Sequence, residues 1–230
     1  MDFHSGKLAD YTKENEERQL AKLKKARAGL DRYGPKGLKD QELLSWKITA
    51  WFLDDIIRQA EFEHGGYTES QLTGATVNLP RFLTDIHQIK SEKSAKRYIS
   101  RLNEFGRVLG EVRVRVEADR KAGVIPPDFI IDKALIGMRS FIDGGVEKNA
   151  LVTTLPEKLQ KAGLSEAKQA EYVAAAKEAV AANVIPGYEA MIALFEDMKD
   201  ETNHDAGIWR IPEGDRIYAT ALQSWTTTTL

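Results

Sequence analysis

The 230-residue chain contains no cysteine, which excludes disulfides, thiolate zinc sites, iron–sulfur clusters and cysteine nucleophiles. It has no apolar run approaching the roughly 20 residues that span a bilayer, and Met1 to Asp10 lacks the apolar stretch of a signal peptide. A charge excess is missing as well. There are 33 Lys and Arg against 35 Asp and Glu, a net charge of −2, which removes the basic footprint of a dedicated nucleic-acid binder. Alternating strand patterns are nearly absent. So are Gly-x-Gly-x-x-Gly, the phosphate loop, Gly-x-Ser-x-Gly and His-Glu-x-x-His.

What remains is a helical sequence of ordinary globular composition, 42% hydrophobic and 30% charged, enough to build a core with a solvated surface. The first helix is expected from about Leu8 to Tyr33 and stops at Gly34-Pro35. Its apolar stripe of Leu20, Leu23 and Leu30 is thin, which places it on a surface. A second helix, about Lys39 to His64, carries Leu44, Ile48, Trp51, Phe52 and Ile56 on one broad face, wide enough to be core. Residues 65–80 mix Gly, Thr, Ser and Asn and read as a long ordered loop or an extended segment, and a long loop is uncommon in compact proteins unless it lines something. Pro80 then opens a short helix with Phe82, Leu83 and Ile86 inward.

The strongest periodicity starts near Ser91. Tyr98, Leu102, Phe105, Leu109, Val112 and Val116 recur at steps of 4, 3, 4, 3 and 4, predicting one helix to Lys121 on the order of 45 Å long. Lys90 to Lys121 holds ten basic and five acidic residues. The charges alternate around an apolar stripe with no aromatic interleaving, so solvated helix faces are favoured over nucleic-acid binding. Asp128 to Phe141 is helical again, and Ser165 to Asn183 is an alanine-rich helix. Val124-Ile125-Pro126 is echoed by Val184-Ile185-Pro186, predicting two similar helix–turn–helix corners. Glu189 to Asp205 holds six acidic residues and one Lys, a plausible partner for the basic helix. Gly207 to Pro212 reads as an irregular connector, and Ile217, Tyr218, Ala221, Leu222 and Trp225 outline a final helix with a buried face. The threonines and Leu230 that follow lack a cap or charged tail, and the chain is expected to continue beyond them.

None of the four histidines sits i, i+4 from another. His64 and His204 read as partners of nearby carboxylates and helix ends, and His87, beside the long loop, is the most interesting of the set. Asp55, one turn from Trp51, reads as a salt-bridged residue at the edge of the apolar stripe in preference to a buried carboxylate with a raised pKa. Gly106 and Gly110 mark close helix packing. Trp209, Arg210 and Tyr218 combine large apolar area with polar handles, suiting a substrate cleft or a buried interface. The alternative is that Trp209 plugs a core and Arg210 pairs with an acid such as Asp215.

Three stretches carry a family resemblance. Tyr67 to Asp85 (Tyr-Thr-Glu-Ser-Gln-Leu-Thr-Gly-Ala-Thr-Val-Asn-Leu-Pro-Arg-Phe-Leu-Thr-Asp), Tyr98 to Leu102 with Gly123 to Pro127, and Gly207 to Pro212 with Gly214, Tyr218 and Thr226-Thr227-Thr228 resemble segments of the bacterial family "domain of unknown function 885", in family order. The resemblance implies a considerably longer protein, often exported or lipid-anchored and similar to helical zinc peptidases. In those, two helical halves face each other across a cleft, and zinc polarises the scissile carbonyl and activates water. The family's His-Glu metal motif lies in the carboxyl-terminal half, beyond this chain, so no metal ligand or catalytic glutamate carries over to any residue here.

The expected fold is all-α: long antiparallel helices with helix–turn–helix corners and one long ordered loop, in a single helical domain over residues 1–230. The leading functional expectation is the amino-terminal half of a metallopeptidase-like hydrolase, forming one wall of a substrate cleft and inactive alone. A non-catalytic helical interaction module is the alternative. Cleft candidates are His87, Trp209, Arg210 and Tyr218, with no catalytic or metal residue. No cofactor is expected in this chain, with zinc in the full-length protein. The expected partners are the carboxyl-terminal half and a peptide substrate, not nucleic acid. The resemblance implies a periplasmic or lipid-anchored location.

Overall fold

Local chemistry at the segment ends sets most of the helix boundaries. Thr12 caps α1 (Lys13–Tyr33) by accepting the Asn15 N–H, and Gly34 ends it with a φ of 61° and an N–H bonded to the Leu30 carbonyl. After α2 (Asp40–Gln59) and α3 (Ala75–Arg81), Ser94 Oγ accepts the Ser91 N–H at the start of α4 (Glu92–Asn103). Then come α5 (Phe105–Lys121), α6 (Asp128–Ile142), the single turns α7 (Gly145–Lys148) and α8 (Ala150–Thr153), and α9 (Leu155–Lys161). Ser165 caps α10 (Glu166–Ala179), which leads to α11 (Ile185–Asp197), and α12 (Gly214–Thr226) closes the sequence of elements. The computed structural model describes residues 6–226. Among these there is no strand, and the fold is all-α. His4 and the threonines from Thr227 lie outside the described residues.

The helices gather into two compact units. Unit 1 comprises the segment ending at Tyr11, Tyr67–Lys121 and Ile125–His204. Its core is the predicted stripe, with Tyr98, Leu102, Phe105, Leu109, Val112 and Val116 all buried against Ile131 and Leu135 of α6, Leu155 and Leu159 of α9, and Tyr188, Met191 and Phe195 of α11. Burying each such side chain stabilises the fold by about 1.5–3 kcal/mol. The acidic end of α11 meets α5 as expected: Arg120 Nη1 lies 2.7 Å from Asp197, and the same guanidinium pairs with Glu201.

The structure corrects several helix boundaries in unit 1. The long helix from Ser91 is two, broken at Glu104, yet the apolar stripe stays continuous across the break. The short helix opens at Ala75 rather than Pro80, and Pro80 sits inside it ahead of a π-helical turn, Phe82–Ile86. Leu83 is buried there but Ile86 is exposed. The second expected corner is absent. Residues 166–197 run on as one helical stretch through a second π-turn, Val180–Val184. In that turn the Ile185 N–H reaches the Val180 carbonyl, and this wider turn admits Pro186, which has no N–H to donate. Gly106 packs against Asn183, whereas nothing approaches Gly110.

Unit 2 comprises Thr12–Gly66, Ala122–Val124 and the segment from Asp205. It buries little. No residue of α1 is buried, α2 buries Ala50 and Asp55, and α12 buries only Gly214. Polar contacts do much of the joining. Trp46 Nε1 donates to the Leu30 carbonyl at 3.3 Å and Arg27 pairs with Asp54 at 2.7 Å. The broad face of α2 is therefore not core, a second correction: Leu44, Ile48, Trp51 and Phe52 are exposed, because α1 packs on the Trp46 and Asp54 side and α12 reaches only the Asp55 end. The same holds for α12, where Tyr218 and Trp225 are exposed and Ile217, Ala221 and Leu222 are half-buried.

Candidate functional site

His87 terminates the first π-turn of unit 1, its N–H bonded to the Phe82 carbonyl at 2.7 Å. Its ring is 6% exposed and both nitrogens are engaged. Nδ1 lies 2.6 Å from Arg101 Nη1, and Nε2 lies 3.2 Å from the Ser94 carbonyl. Because a guanidinium only donates and a carbonyl only accepts, the ring is the neutral tautomer protonated on Nε2. Burial first, then the Arg101 charge, lowers its pKa to about 4. Tyr98 and Phe82 meet the ring edge-on. Lys158 Nζ donates to the Leu83 and His87 carbonyls at 2.6 and 3.0 Å, satisfying the end of the π-turn.

The loop before α3 contains a feature that the residue pattern did not reveal. Glu69 is 2% exposed. One carboxylate oxygen accepts the Ala75 N–H, and the other accepts the Thr76 N–H at 3.2 Å and its hydroxyl at 2.6 Å. A buried carboxylate thus covers the first turn of α3. Burial raises its pKa, although these hydrogen bonds act the other way. Gly74 makes the approach possible: its φ is 115°, and a Cβ there would collide with the Glu69 carboxylate. An acidic residue five positions before Gly-Ala-Thr is the signal that could have found it.

In unit 2, Trp209 and Arg210 lie on a short 3₁₀ turn, Ile208–Arg210, ahead of α12. Together with Pro212, Glu213, Asp215 and Arg216 they line an open depression of about 590 Å³. Trp209 is 68% exposed and its indole folds over Gly207. Arg210 Nη1 donates to the backbone carbonyl of Asp205. Tyr218 is exposed on α12 but does not line the depression. The structure thus groups Trp209 with Arg210, while His87 belongs to unit 1.

Asp55 anchors α2 to α12. Ser224 Oγ and Gln59 Nε2 donate to one of its oxygens, each at 2.7 Å, and Arg58 donates to the other at 2.6 Å. Burial would raise its pKa, but these donors prevail and lower it. His204 Nδ1 lies 2.9 Å from Asp128, a carboxylate the sequence reading did not assign to it, and His64 lies past the end of α2. Among the described residues no three His, Asp or Glu side chains converge in a way that could hold a metal ion. Nor is any described helix long and apolar enough to cross a membrane.

A solved structure described as "the putative lipoprotein from Colwellia psychrerythraea" superposes with a TM-score of 0.87 at 21% identity, over 97% of this chain and 40% of that one. At that identity the likeness is one of fold, and the present chain spans well under half the length of that protein. No curated protein matches the sequence. The model of a family described as "Bacterial protein of unknown function (DUF885)" matches residues 2–230. The chain therefore belongs to the DUF885 family.

Proposed function

We propose that the chain is the amino-terminal part of a metallopeptidase-like hydrolase, in which it supplies a wall of the substrate cleft and no metal ligand. The observation that carries the reading is the open depression where Trp209 and Arg210 sit together. An exposed indole offers a flat apolar surface for a substrate side chain. The Arg210 guanidinium, anchored by its Nη1 on the Asp205 carbonyl, places a fixed positive charge beside that surface, suited to a substrate carboxylate. His87, with both nitrogens committed, acts in this reading as the support of unit 1 rather than as a contact to substrate. The full-length protein is then periplasmic or lipid-anchored, a reading supported by the description of the Colwellia structure.

Peptide hydrolysis by the full gene product, abolished by a chelator and restored by zinc, is the test. Trp209→Ala and Arg210→Ala should each raise KM several-fold with kcat less affected, as expected for groups that bind substrate and transition state alike. The 230-residue chain should hydrolyse nothing. A full-length protein with no metal-dependent hydrolysis overturns the reading.

The exposed apolar residues of α2 favour a second reading, a non-catalytic helical module that binds another protein. A His-Glu-x-x-His downstream in the gene supports the first reading, and a native stop after Leu230 supports the second.

A further inference from the structure

On α2, Leu44, Ile48, Trp51 and Phe52 follow one another at steps of 4, 3 and 1, a single helical stripe. Asp55 and Gln59 continue the stripe at further steps of 3 and 4. The structure treats its two ends differently. At the carboxyl-terminal end Asp55 and Gln59 are both bonded to Ser224 of α12, at 2.7 and 3.1 Å. One turn further on, the Arg216 guanidinium lies 5.2 Å from the centre of the Phe62 ring. As residue number rises from 216 to 224 on α12, the contacted position falls from 62 to 55. The two helices are therefore antiparallel, and α12 points along the stripe toward Phe52, Trp51, Ile48 and Leu44.

The covered half of the stripe is polar, and its uncovered half is apolar. Ile48, Phe52 and Leu44 are each at least half exposed, and Trp225, on the last turn of α12, is 88% exposed. An apolar stripe that no described residue covers is what a helix presents to a packing partner. We infer that this uncovered half is the seat of a further helix, supplied by the same polypeptide beyond this chain and laid in line with α12. The commitment to the same polypeptide comes from length and direction: the similar Colwellia protein is far longer than this chain, and α12 already delivers the chain to the stripe. Leu44, Ile48 and Phe52 sit at i, i+4 and i+8, a spacing that receives an apolar helix face. The inference rests on the part of the proposed function that makes this chain a piece of a longer protein, and not on its hydrolytic chemistry.

The 230 residues hold no cysteine, so an introduced cysteine is the one thiol of this chain, and in the full gene product its own peptide is followed. Ile48→Cys and, as reference, Lys22→Cys on α1 are placed in the 230-residue chain and in the full gene product. Maleimide labelling of each site is then followed by mass spectrometry. In the 230-residue chain both sites should label rapidly. In the full-length protein Ile48→Cys should slow by roughly 100-fold or more, as buried sites exchange only through opening. As a second readout, Ile48→Glu should lower the melting temperature of the full-length protein while leaving the 230-residue chain unchanged. Labelling of Ile48→Cys at equal rates in both proteins overturns the inference, as does a reading frame that closes after Leu230. Protection in a full-length protein that cleaves no peptide supports the seat and removes the hydrolase reading, whereas cleavage without protection does the reverse.

Discussion

Arg101 donates to the unprotonated nitrogen of His87 across 2.6 Å, so a permanent cation and a titratable base share one buried hydrogen bond with the base held neutral. Protonating His87 would place a proton against the Arg101 donor and a second positive charge in the core of unit 1.

The first expectation concerns acid stability. The folded-state pKa of His87 is lowered from 6.5 to about 4, so below pH 6.5 the unfolded chain takes up a proton that the folded chain refuses. This contribution to stability is full above pH 6.5. It declines as pH falls toward 4, by on the order of 3 kcal/mol at 1.36 kcal/mol per pKa unit. Urea midpoints should fall less steeply between pH 7 and 4.5 in His87→Gln than in the wild type. The imidazole C–H resonances of His87 should stay unmoved from pH 8 to 5. A resonance titrating near 6.5 would refute the hydrogen-bond assignment.

Glu69 should behave with the opposite sign. Its pKa is raised, so protonation favours the folded state, and its contribution to stability falls as pH rises from 4.5 toward the folded-state value. At neutral pH Glu69→Gln still destabilises, because an amide NH₂ replaces one of the two acceptors facing the Ala75 and Thr76 N–H groups. The expected loss is about 1–3 kcal/mol. Gly74→Ala should cost a similar amount or more, from backbone strain of about 1–3 kcal/mol and from the collision with the carboxylate. Paired chemical denaturation at pH 7 and pH 4 reads both effects.

Asp55→Ala removes the acceptor of Ser224, Arg58 and Gln59. Losing these buried hydrogen bonds should cost about 1–3 kcal/mol and loosen α12 from α2, seen as faster amide exchange in residues 214–226. Since the Asp55 pKa is lowered, its contribution is present above pH 3.8 and lost as pH falls below it. Exchange in α12 unchanged by the substitution would show that α12 is held by something else.

Truncation should separate the two units. Phe105→Ala, at a fully buried position, should cost about 3–5 kcal/mol. Phe52→Ala, on the exposed stripe, should cost less than about 0.5 kcal/mol in the 230-residue chain. Amides of α1, which buries no side chain, should exchange before those of α5 in native-state hydrogen exchange.

The stripe from Tyr98 to Val116 was legible because helical periodicity and burial coincide when a helix has neighbours on one side. The break at Glu104 was not, since it leaves that spacing intact. The stripe of α2 carried the same apolar signal, yet burial depends on what covers a face, and pattern alone does not report the cover. Pro186 signalled a corner because a proline usually ends a helix, and only the π-turn ahead of it shows how the helix continues. Of the site candidates, Trp209 and Arg210 are legible through their side-chain chemistry alone. Glu69 is not legible in the sequence because an acid in a polar loop reads as solvated until the backbone N–H groups of α3 are placed against it.

The π-turn at Val180–Val184 has a consequence for sequence length. A π-turn holds one residue more than the α-helical turn it replaces, so it acts as a phase shifter between Tyr172 and Ala176 upstream and Tyr188 and Met191 downstream. Each of these groups faces the core of unit 1. Deleting one residue between Ala181 and Asn183 would restore a uniform α-helix and leave the two groups in register, because an α-helix one residue shorter turns through the same total angle as the stretch with the π-turn. The π-turn thus holds the one residue of this helix whose loss should leave every buried face where it is.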